Sequence, residues 1–191
     1  MSREVRQRLL DLAKAKGALK FGDFILSSGQ RSHYYFDGRL LTLDPEGAYL
    51  IGKEMVALAR AVRAQAIGGP SLGADPIVGA TVVMSHLEGY PLVGFLVRSE
   101  PKGHGTRRLI EGPLGKGMRV LIVDDVCTTG GSLFRAINAV EAEDCAVALV
   151  AVLLDRHQGG SDHLRKQGYE VRAFLESSPD GSIRIVEDQA L

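Results

Sequence analysis

The sequence predicts an α/β protein in which a central parallel sheet is flanked by helices. Segments with helical periodicity alternate with short apolar runs along the 191 residues, and this alternation favours parallel strands with helices on both faces. Several runs are apolar at consecutive positions, which is typical of strands buried on both sides. Glycines and polar residues follow these runs, at the end of a parallel sheet where ligands bind.

The N-terminal part of the chain is predicted to form a small subdomain in front of this core. Residues 3–15 have apolar side chains at helical spacing and predict an amphipathic helix. Residues 20–40 are rich in aromatic and turn residues, which indicates a short hairpin. We therefore expect one domain over residues 1–191, with an N-terminal hood region of about residues 1–40 and an α/β core of about residues 41–175.

The core elements alternate in type. Asp44 caps a helix that has Pro45 at its first position. The further helices are expected at 75–88, 131–142 and 161–167, and the strands at 64–67, 91–97, 119–124, 146–154 and 169–175. Residues 98–117 form a long glycine-bearing loop, and residues 176–191 carry no assignable pattern.

Composition excludes several classes of protein. The 23 basic and 23 acidic residues balance, so no general affinity for nucleic acid is expected. The longest apolar run, 146–154, is too short to cross a membrane, and the charged N-terminus is unlike a signal peptide. Cys127 and Cys145 form no CxxC pair. We expect a cytoplasmic enzyme with neither a membrane nor a nucleic-acid partner.

The most informative stretch is a buried strand that leads into acids and a loop of small residues. Val120–Val123 is followed by Asp124 and Asp125, then by the hydroxyl and glycine residues Thr128–Ser132 and a helical segment. Backbone N–H groups of such a loop, together with the helix dipole, suit a phosphate. The acids suit ribose hydroxyls or a hydrated Mg²⁺ beside that phosphate.

This stretch resembles the phosphoribosyl-pyrophosphate (PRPP) binding motif of the type I phosphoribosyltransferases, without a gap from Val120 to Ser132. The resemblance implies that the acids meet the ribose directly or through magnesium-bound water, with Mg²⁺ held mainly by PRPP and not by direct protein ligands. Cys127 is expected to be a small packing residue and not a nucleophile. The PRPP-binding residues implied here are Asp124, Asp125, Val126, Cys127, Thr128, Thr129, Gly130, Gly131 and Ser132.

Loop 98–112 places cations among glycines, which suits a polyphosphate that must be gripped and released. It resembles the catalytic loop of orotate phosphoribosyltransferases, and this implies that Arg98, Ser99, Lys102 and His104 contact PRPP. Ser99 stands where many members have lysine. The catalytic residues implied are Lys102, Asp124 and Asp125. The family resemblance also implies a homodimer in which this loop is shared across the interface.

Two further blocks resemble the same family. The segment 24–37 is similar to the N-terminal block that helps to cover the pyrimidine, which implies orotate contacts from Ser27, Tyr35 and Phe36. Ser27 replaces a lysine of many members. The segment 68–75 lies between a strand and a helix, and it implies pyrophosphate contacts through the backbones of Leu72 and Gly73.

The last block is Asp155-Arg156, which follows strand 146–154. A guanidinium matches a planar carboxylate because its donors form a fork, and the resemblance implies that Arg156, with Thr128, contacts orotate. The blocks occur in the family's order over residues 20–160, which implies transfer of phosphoribose from PRPP to orotate. Two alternatives stay open: a related transferase for uracil or a purine, and a PRPP-sensing regulator without activity.

Overall fold

A seven-stranded sheet and a separate two-stranded sheet form the β-structure of the computed structural model, which describes residues 3–25, 31–100, 109–178 and 180–187. The strands are β1 (Leu19–Ile25), β2 (Arg31–Phe36), β3 (Ala66–Pro70), β4 (Val93–Val97), β5 (Ile110–Glu111), β6 (Arg119–Cys127), β7 (Ala146–Asp155), β8 (Val171–Ser177) and β9 (Ile183–Ile185). The helices are α1 (Arg3–Ala15), α2 (Arg39–Thr42), α3 (Pro45–Ala61), α4 (Ala74–Leu87), α5 (Gly131–Glu141) and α6 (Gly160–Lys166).

The large sheet has the order β5-β4-β3-β6-β7-β8-β9. Its five central strands pair in parallel, as predicted, whereas β5 and β9 add to the edges in antiparallel orientation. Neither edge strand was predicted, because two or three residues are too few to show a periodicity. They lie in the expected loop 98–117 and in the unassigned segment 176–191.

Helices cover both faces of this sheet, as the apolar runs predict. Within β6, Leu121 and Val123 pack with α1, α3 and α4 on one face, and Val120 and Ile122 pack with α5 and α6 on the other. All four side chains are fully buried. Alternate side chains of a strand point to opposite faces, so an uninterrupted apolar run is what a doubly covered strand requires.

The acids of the motif lie inside β6 and not beyond its end. The predicted strand stops at residue 124, but pairing with β7 continues through Val126 and Leu154 to Cys127 and Asp155. The long partner strand supplies hydrogen-bonding groups over this whole length, which local periodicity does not show. For the same reason β3 extends through Gly68, Gly69 and Pro70, which pair with β4.

The connections from β3 and β6 create a crevice. The chain leaves β3 through α4 and returns at β4 on one side, whereas β6 lies on the other side of β3. Such a divergence is the general ligand site of open α/β sheets. A Cβ at Gly69 would lie 1.9 Å from the carbonyl oxygen of Val123, so only glycine lets the end of β3 lie this close to β6.

The N-terminal hairpin packs beside this crevice. Strands β1 and β2 pair in antiparallel register from Leu19 with Phe36 to Ile25 with Arg31. The predicted cap of α3 is confirmed, since the Asp44 side chain accepts hydrogen bonds from the backbone N–H groups of Glu46 and Gly47. Hairpin and crevice together place the sequence motifs at one end of the sheet.

Candidate active site

A cavity of about 310 Å³ lies where the hairpin meets the carboxyl ends of β3 and β6. It joins residues that are far apart in the sequence but belong to three of the predicted blocks. Its lining residues are Tyr35, Phe36, Asp37, Gly38, Arg39, Leu72, Gly73 and Asp125. The structure therefore brings the β3–α4 loop, one acid of the β6 pair and the hairpin together around one space.

The two adjacent acids of β6 have different surroundings. Asp124 is only 5% exposed, and its carboxylate accepts hydrogen bonds from the Ser132 hydroxyl at 3.1 Å and from the Asp125 backbone N–H at 3.0 Å. Burial, with the neighbouring Asp125 charge, raises the pKa of Asp124 to about 8. Burial also raises the pKa of the half-buried Asp125. Two adjacent buried carboxylates repel each other when both are ionised. A ligand that donates hydroxyl hydrogen bonds, or a cation, would reduce this repulsion.

Glycines allow both carboxylates to reach the same point. A Cβ at Gly73 would lie 2.3 Å from Oδ1 of Asp124 and 2.5 Å from Oδ1 of Asp125, and a Cβ at Gly38 would lie 2.7 Å from Oδ2 of Asp125. These positions have no room for a side chain. The preceding Ser71–Leu72 peptide bond is cis, and the Leu72 side chain is 67% exposed.

The loop between β6 and α5, residues 128–130, is fixed by the chain that follows β7. The carbonyl oxygens of Cys127 and Thr128 accept hydrogen bonds from the N–H groups of Arg156 and Gly160, each at 2.9 Å. Gly130, with φ +81°, precedes the 11-residue helix α5. The first amides of a helix lack intrahelical partners and favour an anion. Loop and helix thus offer backbone N–H groups that suit a phosphate.

The remaining members of this loop have distinct positions. Val126 is half-buried against the core, Thr129 and Gly131 are exposed, and Ser132 uses its hydroxyl on the acid pair. Cys127 is 1% exposed, and burial raises the pKa of its thiol to about 12. A thiol of that kind is not a nucleophile at neutral pH, in line with the packing role expected from the sequence.

Arg156 lies under the hairpin, and its guanidinium is held there by two hydroxyls. Its Nε donates to the Tyr34 hydroxyl at 2.9 Å, its Nη2 donates to Ser32 Oγ at 3.1 Å, and its guanidinium carbon lies 4.6 Å from the Tyr34 ring centroid. Tyr34 and Phe36 are buried, whereas Tyr35, one residue out of phase, is 40% exposed and lies 5.8 Å from the Phe24 ring. Tyr35 and Phe36, which the resemblance implies as orotate contacts, thus have side chains on opposite sides of β2.

The loop that carries the predicted cations is described only at its two ends. Arg98 and Ser99 are exposed after β4. The Arg98 backbone N–H donates to the Leu109 carbonyl at 2.9 Å, and its guanidinium lies 3.6 Å from Glu111. Lys102 and His104, like Ser27 of the hairpin, lie outside the described residues.

Several site residues were not selected from the sequence. Arg39 lines the cavity and donates from Nε to Asp37 at 2.9 Å, which holds the pKa of Asp37 below its ordinary value. Ser32 and Tyr34 hold Arg156. Asp37 and Arg39 could have been selected from the sequence, because an Asp-Gly turn and an arginine directly follow the aromatic strand. Nothing in the local pattern distinguishes Tyr34 from its neighbours.

The described ranges lack both a cluster of metal ligands and a membrane-spanning helix. No group of three or more His, Cys, Asp or Glu side chains is arranged there to hold a metal ion. None of the helices in those ranges is both long enough and apolar enough to cross a membrane.

The fold and the site define a phosphoribosyltransferase, and residues 77–178 match the phosphoribosyl transferase domain family. The orotate phosphoribosyltransferase of Aquifex aeolicus is 43% identical over 176 residues, which are 91% of this chain and 96% of that protein. The crystal structure of Mycobacterium tuberculosis orotate phosphoribosyltransferase with Fe(III) dicitrate superposes with a TM-score of 0.78 at 37% identity, covering 90% of this chain and 96% of that one. A structure of the same enzyme with PRPP has a TM-score of 0.74, 34% identity and the same coverage.

The chain belongs to the orotate phosphoribosyltransferase family. The family resemblance, the fold class and the enzyme class predicted from the sequence are thereby confirmed.

Proposed function

We propose that this chain transfers the phosphoribosyl group of PRPP to orotate, giving orotidine 5′-monophosphate (OMP) and pyrophosphate in pyrimidine biosynthesis. The observation that carries the proposal is the convergence of the acid pair, the β3–α4 loop and the hairpin at the crevice of the sheet. Ser132, after the β6–α5 loop, donates a hydrogen bond to Asp124 of that pair. The M. tuberculosis relative binds PRPP. The known family reaction needs such a site, because one ligand presents a phosphate, a ribose and a pyrophosphate at once.

The residues act by binding and orientation and not as nucleophiles. A nitrogen of orotate attacks C1 of the ribose while pyrophosphate leaves from the opposite face, through an oxocarbenium-like state. Thr128–Ser132, including Thr129, Gly130 and Gly131, hold the 5′-phosphate with backbone N–H groups. Asp124 and Asp125 orient the ribose hydroxyls. Fixing two substrates in line removes much of the entropic barrier to their reaction.

Pyrophosphate is held at the other side of the ribose. Leu72 and Gly73 line the cavity and donate from their backbones. Arg98, Ser99, Lys102 and His104 supply the cationic and hydroxyl groups of the loop, with Lys102 neutralising the departing charge. Preorganised donors at the point where charge develops give the largest rate effects in such reactions.

Orotate is distinguished from other bases by its carboxylate. Arg156 supplies the matching fork of donors. Thr128 of the β6–α5 loop also contacts orotate, and Ser27, Tyr35 and Phe36 cover the ring. A neutral base such as uracil or a purine would leave the half-buried guanidinium without an anionic partner, and this favours orotate among the alternatives.

Magnesium fits this site through PRPP. The described residues offer an adjacent carboxyl pair and no larger cluster, and Mg²⁺ prefers oxygen ligands while keeping several waters. Asp124 and Asp125 would hold such a hydrated ion beside the ribose. When bound, it would neutralise charge on the pyrophosphate.

Assembly and location complete the proposal. Val83 and Leu87, one turn apart on α4, are 61% and 71% exposed, and Tyr49 on the adjacent α3 is 49% exposed. An apolar surface of this kind supports a homodimer. Cys127 and Cys145 are both free thiols, in keeping with a cytoplasmic location.

The test is the loss of orotate absorbance with PRPP and Mg²⁺, for the native chain and for Lys102→Ala. We expect native turnover and a drop in kcat of about 100-fold or more in the variant, because a preorganised charge on the leaving group is lost. Lys116→Ala is the matched control, since Lys116 is bound to Asp144 at 2.7 Å near the opposite end of β6. Turnover with uracil or a purine, but not with orotate, would overturn the choice of base. Absence of turnover with every base would favour the regulator.

A further inference from the structure

Arg156 is held by several hydrogen bonds to other residues of the protein. Its Nε and Nη2 donate to the hydroxyls of Tyr34 and Ser32, and its backbone carbonyl accepts from the Ser177 hydroxyl at 2.9 Å. Arg156 is therefore fixed both at its backbone and at its guanidinium group. Tyr34 is itself buried, at 5% exposure, so packing restricts the motion of the hydroxyl that accepts from Nε.

The N–H groups of Arg156 that remain unused permit one mode of carboxylate binding. A guanidinium has five N–H groups, and a carboxylate binds either the Nε–Nη2 edge or the terminal Nη1–Nη2 pair. Because the Tyr34 hydroxyl occupies Nε, the side edge is closed. Two protons of Nη1 and one of Nη2 remain, and one proton from each of these nitrogens can bind a carboxylate as the terminal fork.

Ser32 reinforces the same orientation. Its hydroxyl donates its only proton to the Tyr34 carbonyl at 2.7 Å, and it accepts from the Tyr34 backbone N–H at 3.4 Å and from Nη2 of Arg156 at 3.1 Å. The Tyr34 ring adds a third contact, with the guanidinium carbon 4.6 Å from its centroid. These contacts restrict translation, rotation and tilt of the guanidinium plane.

We propose that Tyr34 and Ser32 are positioning residues that hold the terminal fork of Arg156 toward the carboxylate of the pyrimidine substrate. The inference rests on the proposed function, in which Arg156 binds that carboxylate. It assigns part of the choice of base to two hydroxyls on β2 that do not themselves touch the base. Preorganised guanidinium groups bind more tightly because less motion is lost on binding.

Titration calorimetry of three ligands tests this with the full chain. OMP carries the carboxylate, UMP is the same nucleotide without it, and ribose 5-phosphate has no base. We expect the native chain to prefer OMP over UMP by at least about tenfold, since charge-assisted hydrogen bonds are among the strongest available. Tyr34→Phe keeps the buried ring but removes the acceptor of Nε, so the OMP to UMP ratio should fall about tenfold, with the affinities for UMP and ribose 5-phosphate unchanged.

Steady-state kinetics should agree with this pattern. KM for orotate should rise about tenfold in Tyr34→Phe, while kcat and KM for PRPP stay near the native values. Ser32→Ala should give a smaller change in the same direction, and Ser32→Thr should restore the native ratio because it keeps the hydroxyl. Ser32→Ala also covers the case in which Tyr34→Phe does not fold, since it leaves the buried ring intact.

Tyr90→Phe is the matched control. The Tyr90 hydroxyl donates to the Ala64 carbonyl at 2.9 Å, and its ring lies 4.8 Å from the guanidinium carbon of Arg60, so the same two kinds of contact occur there away from the site. It should leave the OMP to UMP ratio unchanged.

The possible outcomes separate the two proposals. A native chain that binds OMP and UMP equally would overturn the role of Arg156 in the proposed function. A native preference for OMP that survives in both Tyr34→Phe and Ser32→Ala would overturn the positioning inference alone. Equal weakening of all three ligands in these variants would show a purely structural role and would also overturn it.

Discussion

At the scale of single residues, Asp124 is the position where function conflicts most directly with stability. Its carboxyl is nearly fully buried beside Asp125, and its pKa is raised to about 8. The native state therefore binds a proton that the unfolded chain releases near the ordinary value of 3.8. Stability from this group is complete below pH 4 and is lost as pH rises through about 8. The site retains the carboxyl in spite of this cost.

Asp124→Asn should accordingly stabilise the protein while it abolishes turnover. The amide carbonyl accepts from the Asp125 N–H, the Ser132 hydroxyl turns to accept from the amide, and no charge is buried. We expect Tm to rise by about 5 °C at pH 8, with a smaller gain at pH 5. Differential scanning calorimetry at several pH values measures this.

The exposed Asp11 on α1 offers a control, because Asp11→Asn removes a solvent-exposed carboxylate that accepts a hydrogen bond from Gln7 at 2.9 Å. Its Tm should follow the native pH profile. An Asp124→Asn protein that melts below the native chain at pH 8 would contradict the raised pKa as the dominant effect of this position.

At the scale of elements, the position of the β6–α5 loop depends on the start of α6. A Cβ at Gly160 would lie 2.5 Å from the Thr128 carbonyl oxygen and 2.6 Å from the Gly130 nitrogen, both of them backbone atoms. Gly160→Ala must therefore displace the loop that is proposed to hold the 5′-phosphate. We expect KM for PRPP to rise by about tenfold or more, because backbone N–H groups lose their alignment with the anion.

The effect is checked by initial rates at varied PRPP and by calorimetric titration with ribose 5-phosphate. Gly79→Ala on α4 is the control, since a Cβ there meets no atom within 4 Å, and alanine in a helix interior should stabilise by about 0.5–1 kcal/mol. Unchanged binding of PRPP and ribose 5-phosphate by Gly160→Ala would remove this loop from the phosphate site.

The elements also show what a sequence can and cannot predict. The longer helices and the central strands follow from periodicity, whereas the four-residue helix α2 was not predicted. The acid pair and its loop are contiguous in the chain, so their proximity needs no tertiary information. The contact of Arg156 with Tyr34 spans 122 positions and depends on how the hairpin docks. The strands β5 and β9 exist only because a neighbouring strand offers its edge. Tertiary pairing of this kind leaves no local periodic signal.

At the scale of the whole molecule, the exposed apolar side chains of α3 and α4 predict a homodimer. Val83→Lys combined with Leu87→Lys places two charges where an interface would exclude water, and it should convert a dimer to monomers in sedimentation equilibrium. Lys166→Ala, on the exposed surface of α6, should leave the mass unchanged. A native chain that sediments as a monomer at micromolar concentration would contradict the proposed assembly.

Sharing of loop 98–112 between the two subunits of a dimer can be tested by its effect on activity. If Lys102 serves the partner's site, a heterodimer of Lys102→Ala and Asp125→Asn chains has one site with both lesions and one intact site. Random exchange of two inactive proteins should then restore about one quarter of the native activity, because half of the dimers are mixed and each has one working site. If Lys102 serves its own chain's site, every site in the mixture carries one lesion. The mixture would then stay inactive however long the subunits exchange, so initial rates before and after exchange decide between the two arrangements.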